Sequence, residues 1–169
     1  IGGGSTEFIW SDSNEINFKS LDFGCVRMTE KFISEPEEKI NCAAAKKIDN
    51  YVKEILAKKL NINKKFKIKG VGGTITTLGA IKLGMEVYDS KKIENLEINF
   101  SELNKIILKL KKFDLKARKK VRGLQPKRAD IIVAGLIILR SILKHTNNNE
   151  LYVSDQDLLY GLLKEELIK

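Results

Sequence analysis

The chain has 169 residues, of which 43% are hydrophobic, and it carries a formal net charge of +9. This length suits one ordinary domain with a sizeable core, and no apolar run reaches the roughly 18 residues that a membrane-spanning helix needs. The excess of lysine and arginine favours a polyanionic partner, such as a nucleotide, polyphosphate, acidic lipid or nucleic acid, without choosing among them.

Hydrophobic periodicity predicts strands where apolar residues alternate and helices where they recur every three or four positions. The predicted elements are, in chain order, strands over residues 5–11 and 15–23, helices over 27–33 and 36–60, a strand over 66–71, helices over 75–83, 101–111, 115–121 and 129–143, a strand over 151–153 and a helix over 158–167. Residues 84–99 are interpreted as a loose connection. This mixed order predicts an α/β domain with helices packed on the sheet.

Two local signals refine this interpretation. Ser34 stands three residues before Glu37, with Pro36 between them, which is typical of a helix start and places the start of the long helix at residue 36. His145 lies in a polar loop and is interpreted as a solvated surface residue.

The small number of cysteine and histidine residues also restricts the chemistry that this chain can perform. Cys25 and Cys42 lack the spacing of a disulfide framework or a metal site, so we interpret them as reduced thiols of a cytoplasmic protein. Because His145 is the only histidine, a histidine-based triad or a His-rich metal site within this chain is excluded.

Glycines precede the first predicted strand at residues 2–4, which we call the first glycine segment. Without Cβ atoms, backbone N–H groups can approach an anion closely. Ser5 and Thr6 add hydroxyl donors, and the carboxylate of Glu7 could hold Mg²⁺ or a water molecule. Taken alone, this pattern also fits a flexible N-terminal stretch or a hairpin turn.

The second glycine segment, residues 72–74, has the sequence Gly-Gly-Thr and lies between a predicted strand and a predicted helix. Free N–H groups at a helix N-terminus bind anions, and Thr74 could cap the helix and donate to a phosphate. A tight strand-to-helix turn with a threonine cap would show the same pattern. The two segments together predict two sets of donors at one edge of the sheet, converging on one phosphorylated ligand.

Five motifs in order resemble the exopolyphosphatase/guanosine pentaphosphate phosphatase (Ppx/GppA) family. They span nearly the whole chain. They are IGGGSTE at 1–7, LDFGCVRMTE at 21–30, GVGGTITTL at 70–78, RADII at 128–132, and VSD at 153–155 followed by GLL at 161–163. The resemblance departs at Leu159, where the family usually has an arginine, and at the aspartate that should precede Ile1.

The resemblance implies a ribonuclease-H-like domain of the sugar kinase, actin and heat-shock chaperone superfamily, with a mixed sheet and helices on both faces. Residues 1–169 then form the second, C-terminal domain of a two-domain phosphatase. The N-terminal domain, which in the family supplies a first phosphate loop and a catalytic glutamate, is absent from this sequence. In this fold the strand leading into the first glycine segment lies between the strands at 5–11 and 66–71, so we expect those two strands not to pair with each other.

The resemblance also implies roles for individual residues. Glu7 becomes the catalytic carboxylate of this domain and a ligand of Mg²⁺, the expected cofactor. The implied phosphate-binding residues are Gly3, Gly4, Ser5, Gly72, Gly73, Thr74 and Arg128.

The implied activity is Mg-dependent hydrolysis of the terminal phosphoanhydride of inorganic polyphosphate or guanosine pentaphosphate in the cytoplasm. This chain is expected to be inactive alone, to need its N-terminal domain, and to be compatible with a homodimer. Two alternatives stay open. One is a kinase of the same superfamily, which would need an adenine pocket beyond residues 72–74, and the other is a non-catalytic polyanion-binding module.

Residues 109–128 form a basic stretch, in which ten of twenty residues are lysine or arginine and the only acid is Asp114. It fits either an electrostatic track for a long polyanion or a solvated basic surface without a specific ligand. Few aromatic residues interleave with the charges, so stacking on single-stranded nucleic acid is poorly supported, and neither nucleic acid nor a membrane is an expected partner.

Overall fold

The computed structural model describes residues 1–12, 15–62 and 66–156. The helix predicted over 158–167, with Leu159 and the GLL motif, lies outside these ranges. The strands are β1 (Thr6–Asp12), β2 (Glu15–Leu21), β3 (Lys69–Gly70), β4 (Glu97–Asn99) and β5 (Glu150–Val153). The helices are α1 (Cys25–Phe32), α2 (Cys42–Lys59), α3 (Gly73–Leu83), α4 (Ser90–Ile93), α5 (Phe100–Lys111), α6 (Leu115–Arg118) and α7 (Ile132–His145), with a 3₁₀ turn at Pro126–Arg128.

The described strands form two sheets. β1 and β2 make an antiparallel hairpin in which Thr6 lies opposite Leu21. The second sheet has the order β3-β5-β4, with β3 parallel and β4 antiparallel to β5. β1 and β3 therefore do not pair with each other, as the implied strand order requires.

Helix α7 is the centre of the core. All eight residues from 132 to 139 are buried, because α1, α2, α3 and α5 each pack against this helix. Its one buried polar side chain, Ser141, donates a hydrogen bond of 2.7 Å to Asp49 of α2. The predicted apolar helix over 129–143 is thus confirmed as the buried centre of the domain. In the described ranges no helix is both long and apolar enough to cross a membrane.

The long helix α2 starts six residues later than predicted, at Cys42 instead of residue 36. Asn41 caps it by accepting a hydrogen bond of 2.8 Å from Ala44 N. The preceding residues are held out of helical geometry because the guanidinium of Arg118 donates to the carbonyl oxygens of Pro36 and Glu38. A tertiary contact here overrides a local helix-start signal.

Residues 84–99 are not the loose connection that was predicted, because they contain α4 and β4. These elements are too short for a periodic pattern, and β4 is fixed by pairing with β5. The strand predicted over 66–71 is restricted to Lys69–Gly70, and the helix predicted over 115–121 ends at Arg118. The interpretation of His145 as a solvated residue is wrong: the side chain is half-buried, and its Nε2 lies 2.9 Å from the carbonyl oxygen of Leu60.

Candidate phosphate-binding site

The first glycine segment lies on the N-terminus of α1. Its carbonyl groups accept the first amides of that helix, from Cys25 to Gly2 at 2.9 Å and from Val26 to Gly3 at 3.0 Å. Arg27 adds a side-chain hydrogen bond of 2.8 Å from Nε to the carbonyl oxygen of Gly4. The carbonyls therefore face the protein, while the amides of Gly3 and Gly4 have no acceptor among the described residues.

Close approach at this point depends on Gly24, the residue before α1. A Cβ atom at Gly24 would lie 2.4 Å from the carbonyl oxygen of Gly3 and 2.7 Å from that of Gly2. Both are backbone atoms, so no side-chain rotation could relieve the overlap. Gly24 belongs to the motif at 21–30, and the structure gives a physical reason for glycine there.

Glu7 lies on β1, where its side chain is exposed and meets two hydroxyl groups. Its Oε1 accepts hydrogen bonds of 2.5 Å from Ser5 and 3.2 Å from Ser20. Ser20 lies opposite Glu7 in the hairpin register, which the sequence reasoning did not use. The hydroxyl of Thr6, expected as a ligand donor, is instead buried and donates to Phe23 O at 2.6 Å.

Glu7 alone does not make the magnesium site that the resemblance implies. The described ranges contain no group of three or more His, Cys, Asp or Glu residues placed to hold a metal ion. Mg²⁺ is commonly held by one or two carboxylates together with water and substrate phosphate oxygens. The described residues therefore do not form a metal cage by themselves, and the role of Glu7 as a Mg²⁺ ligand stays a prediction.

The second glycine segment turns β3 into α3. Gly72 has φ of 91° and ψ of 170°, a conformation open essentially to glycine alone. Its carbonyl accepts from Ile75 N at 2.9 Å and from Thr76 N at 3.1 Å. The amides of Gly73 and Thr74 have no acceptor in the part of the chain that the structure covers. Of the two residues, Gly73 lines the cleft beside α3, at the positive end of the helix dipole, where an anion is favoured.

Thr74 does not play the role that the sequence suggested for its side chain. Gly72 is the N-cap of α3, and α3 has no side-chain cap. The side chain of Thr74 is buried against α7, where a Cβ atom at Gly135 would lie 2.7 Å from Thr74 Cγ2. The expectation that the Thr74 side chain caps the helix is wrong.

Arg128 lies directly over the second glycine segment. A Cβ atom at Gly73 would lie 2.1 Å from Arg128 Nη1 and 2.4 Å from its Cζ, so glycine makes room for the guanidinium. Gln125 Oε1 accepts a long hydrogen bond of 3.4 Å from Arg128 Nε. The structure thus brings a guanidinium, predicted as a phosphate clamp, beside Gly73 at the start of α3.

The two glycine segments lie on the same side of the domain. The main-chain nitrogen of Ile1 is 3.4 Å from the carbonyl oxygen of Val71. Cys25, which begins α1, and Thr74 both come close to Gly135 in the middle of the core. The starts of α1 and α3 converge there, so the two glycine segments are close in space. Their neighbouring strands β1 and β3 belong to different sheets, so the prediction that they share one edge of a single sheet is not confirmed in that form.

A cleft of about 280 Å³ opens beside the second glycine segment. It is lined by Gly72, Gly73, Thr76, Thr77, Ala80, Tyr88, Gly123, Gln125, Arg128 and Asp155. Tyr88 donates a hydrogen bond of 2.6 Å to Asp155 Oδ1. Burial of the phenol and this carboxylate together raise the pKa of Tyr88 to about 12. The sequence identified Asp155 as part of a motif but gave it no role.

The basic stretch divides into structural and exposed residues. Arg118 is fully buried, and its guanidinium donates a hydrogen bond to the carbonyl oxygen of Glu38 in the segment before α2. Arg122 pairs with Glu86 at 3.0 Å. The remaining exposed cations are Lys109, Lys112, Lys116, Lys119, Lys120 and Lys127. Whether they form a track for a long anion stays a prediction.

Comparisons with known proteins bear on the family and the fold of this chain. The model of the Ppx/GppA phosphatase family matches residues 1–169. The chain is 39% identical to a bifunctional 3-dehydroquinate synthase/phosphatase of Fusobacterium nucleatum over 98% of this chain and 25% of that protein. It is 28% identical to exopolyphosphatase 2 of Mycobacterium tuberculosis over 96% of this chain and 52% of that protein. The chain thus spans a quarter to a half of the curated relatives it matches.

Solved structures show the same fold. A Ppx/GppA family member from Aquifex aeolicus matches with a TM-score of 0.86 and 30% identity, over 99% of this chain and 54% of that structure. An exopolyphosphatase from Cytophaga hutchinsonii matches with a TM-score of 0.82 and 26% identity, over 99% of this chain and 55% of that structure. The α/β fold expected from the sequence is therefore confirmed, and because the family model covers the whole chain, the chain belongs to the Ppx/GppA phosphatase family.

Proposed function

We propose that this chain is the phosphate-binding half of a phosphatase that hydrolyses the terminal phosphoanhydride of inorganic polyphosphate or guanosine pentaphosphate. The observation that carries the proposal is the start of α3, where Gly73, whose amide has no acceptor among the described residues, lies beside the guanidinium of Arg128. Membership in the family and the exopolyphosphatase relatives support the reaction class.

The second glycine segment has the chemistry that phosphoryl transfer requires. Charge in the transition state spreads over the phosphoryl oxygens, and catalysis consists mainly of positioning and charge stabilisation. Two amides at a helix N-terminus supply fixed dipoles, and an arginine can bind two phosphate oxygens at once. The amides of Gly3 and Gly4 form a second donor pair on the same side of the domain, suited to a neighbouring phosphate.

Glu7 is proposed as the residue through which this domain contacts Mg²⁺. Glu7 would hold the cation, whose positive charge would offset part of the charge on the phosphate. Ser5 and Ser20 orient the Glu7 carboxylate through Oε1. We assign the base that activates water to a preceding N-terminal domain, and a further domain is consistent with the longer relatives. Without it, the chain alone should release little phosphate.

A test of the proposal uses the full-length protein with Mg²⁺ and either inorganic polyphosphate or guanosine pentaphosphate, with phosphate release as the readout. Arg128→Gln should lower kcat/KM by about 10²-fold, since it removes a charged donor to the transition state. Lys91→Gln on α4, an exposed cation away from the cleft, is the matched control and should change little.

Three results would count against the phosphatase assignment. Phosphate transfer to an acceptor in place of release would indicate a kinase. Binding of the anion without turnover in the full-length protein would indicate a non-catalytic module. Equal activity of Arg128→Gln and the control would remove Arg128 from the site. Cytoplasmic location and homodimer formation stay predictions.

A further inference from the structure

Glu94 directly follows α4 and is not one of the residues that line the cleft beside α3. Its Oε1 pairs with the ammonium group of Lys69 at 2.9 Å. Its Oε2 accepts hydrogen bonds of 2.9 Å from the amide of Asp155 and 3.0 Å from the hydroxyl of Ser154. One carboxylate therefore joins the connection after α4 to β3 and to the residues that follow β5.

The main chain beside Glu94 is fixed by contacts that do not involve its side chain. The amide of Asn95 donates to the carbonyl oxygen of Val153 at 2.8 Å, and the amide of Val153 donates to that of Leu96 at 2.9 Å. Asn95 has φ of 60°, which turns the chain between α4 and β4. Because this turn is bonded to β5, the Glu94 carboxylate reaches its partners from a fixed backbone.

The second glycine segment follows a strand that is only two residues long, Lys69–Gly70. Among the described residues, the main-chain contact between β3 and the β5 side that lies nearest to this segment is a hydrogen bond of 2.8 Å from Ser154 N to Gly70 O. Ser154 is 2% exposed, and its hydroxyl donates to Glu94. The position of the glycine segment therefore depends on a junction that Glu94 holds through both Lys69 and Ser154.

Glu94 also fixes a second part of the cleft lining. The Asp155 amide donates to Glu94, while the Asp155 carboxylate accepts a hydrogen bond of 2.6 Å from Tyr88. Asp155 and Tyr88 line the same cleft as Gly73 and Arg128.

Groups that bind a reacting ligand act well only when they are held within about 0.5 Å of their productive positions, and residues outside the site supply that constraint. A displacement of about 1 Å caused by a change far from the chemistry can lower the rate by about 10²-fold. Glu94 meets this description, because its partners include the strand before the second glycine segment and a residue of the cleft lining.

We infer that Glu94 is a positioning residue of the proposed phosphate site. It holds the junction of β3 and β5 so that the Gly73 amide and the Arg128 guanidinium meet one phosphoryl group together. Glu94 does not line the cleft itself and acts through Lys69 and Ser154. The inference rests on the proposed function, because a positioning role requires the phosphate site.

The experiment uses the full-length protein with Mg²⁺ and inorganic tripolyphosphate or guanosine pentaphosphate, whichever it hydrolyses, and orthophosphate as the competing product. Glu94→Gln keeps the length of the side chain but removes the charge that pairs with Lys69. We expect KM and the inhibition constant of orthophosphate both to rise about tenfold, as for other hydrogen bonds to a charged group. Neither constant depends on the amount of folded enzyme, so a variant that had only lost stability would show a lower kcat with both constants unchanged. Glu97→Gln is the matched control: its carboxylate lies in β4 and accepts from Tyr152 at 3.4 Å, so both constants should stay the same.

Lys69→Met is a second variant, at a side chain that is 48% exposed, so the fold should survive. We expect both constants to rise about threefold, as for the loss of a partly exposed ion pair. The double variant Lys69→Met/Glu94→Gln should be no weaker than Glu94→Gln alone, since removal of the Glu94 charge already releases Lys69. Losses that multiply in the double variant would show that Lys69 acts on the anion by itself, and would contradict the inference.

Other outcomes overturn the inference separately from the proposed function. Unchanged KM and inhibition constant in Glu94→Gln would show that Glu94 only supports the fold, and an equal rise in Glu97→Gln would show a general effect of lost negative charge. If Glu94→Gln did not fold, Lys69→Met would decide: a rise in both constants supports the inference and no change contradicts it. If the unmodified protein released phosphate from neither compound, the proposed function itself would fail.

Discussion

The two glycine segments of this domain both lie at the start of a helix, yet they reach it in different ways. Residues 72–74 begin their own helix, α3, and leave the Gly73 and Thr74 amides free. Residues 2–4 instead lie against α1, more than twenty residues later in the chain, and accept its first amides through their carbonyl groups. The arrangement at residues 72–74 is local, whereas that at residues 2–4 depends on a tertiary contact.

This difference shows where each segment is vulnerable. The first segment depends on the backbone packing around Gly24, so a substitution at Gly24 should lower the stability of the fold. The second segment contacts a flexible side chain, that of Arg128, so a substitution at Gly73 should weaken ligand binding and leave the fold intact. Mutations at Gly24 and at Gly73 should therefore separate effects on stability from effects on function.

Gly24→Ala should have the largest effect on stability. The new methyl group would overlap the carbonyl atoms of Gly3, 2.4 Å away, and backbone shifts of this kind cost about 3 kcal/mol. The measurement is the free energy of unfolding from urea denaturation. Gly84→Ala is the control: nothing lies within 4 Å of its Cβ position, and only the cost of a positive φ, roughly 1 kcal/mol, is expected. Equal losses in the two variants would show that the contact with Gly3 is not important.

Gly73→Ala should have little effect on stability and a large effect on activity. The methyl group would displace the guanidinium of Arg128, which lies at the end of a flexible side chain, so the free energy of unfolding should change by less than about 1 kcal/mol. The kcat/KM for phosphate release should fall by about 10²-fold. If Arg128 is the reason, Gly73→Ala should add little to the loss caused by Arg128→Gln. Additive losses in the double variant would contradict this explanation.

Glu7→Gln tests the proposed role of Glu7, which follows the first glycine segment, as a ligand of Mg²⁺. Glu7 is exposed, so the fold should survive, while loss of the carboxylate charge weakens binding of a divalent cation. Turnover of the full-length protein should fall by about 10²-fold or more, and more Mg²⁺ should be needed for half-maximal activity. A titration of phosphate release against Mg²⁺ concentration measures both effects. An unchanged magnesium response would leave Glu7 as a surface residue of the hairpin.

Ser20→Ala should have the smallest effect. It removes one hydrogen bond of 3.2 Å to Glu7, and Ser5 still holds the same oxygen. A single hydrogen bond of this kind contributes about 1 kcal/mol, which corresponds to a few-fold change in the Mg²⁺ requirement. Lys19→Ala, at the neighbouring position of β2, is the control on the other face of the hairpin. An effect of Ser20→Ala as large as that of Glu7→Gln would point to direct contact between Ser20 and the ligand.

Much of the fold follows from sequence patterns alone. The hairpin, α1, α3, α5, α7 and β5 appear close to their predicted bounds, because alternation and helical periodicity are strong there. The misplaced start of α2 and the missed strand β4 have another cause. Arg118 holds Pro36 and Glu38 out of helical geometry, and β4 is only three residues long, so neither leaves a local signal.

The sequence by itself determined the order of elements, the two glycine segments at strand ends and the family to which the chain belongs. Only the tertiary structure decided which groups face a ligand. It placed Arg128 on Gly73, buried Thr74 against Gly135, and set Asp155 in the cleft with Tyr88. Each of these contacts joins residues more than fifty positions apart, and local sequence patterns do not encode the direction in which a side chain points across such a distance.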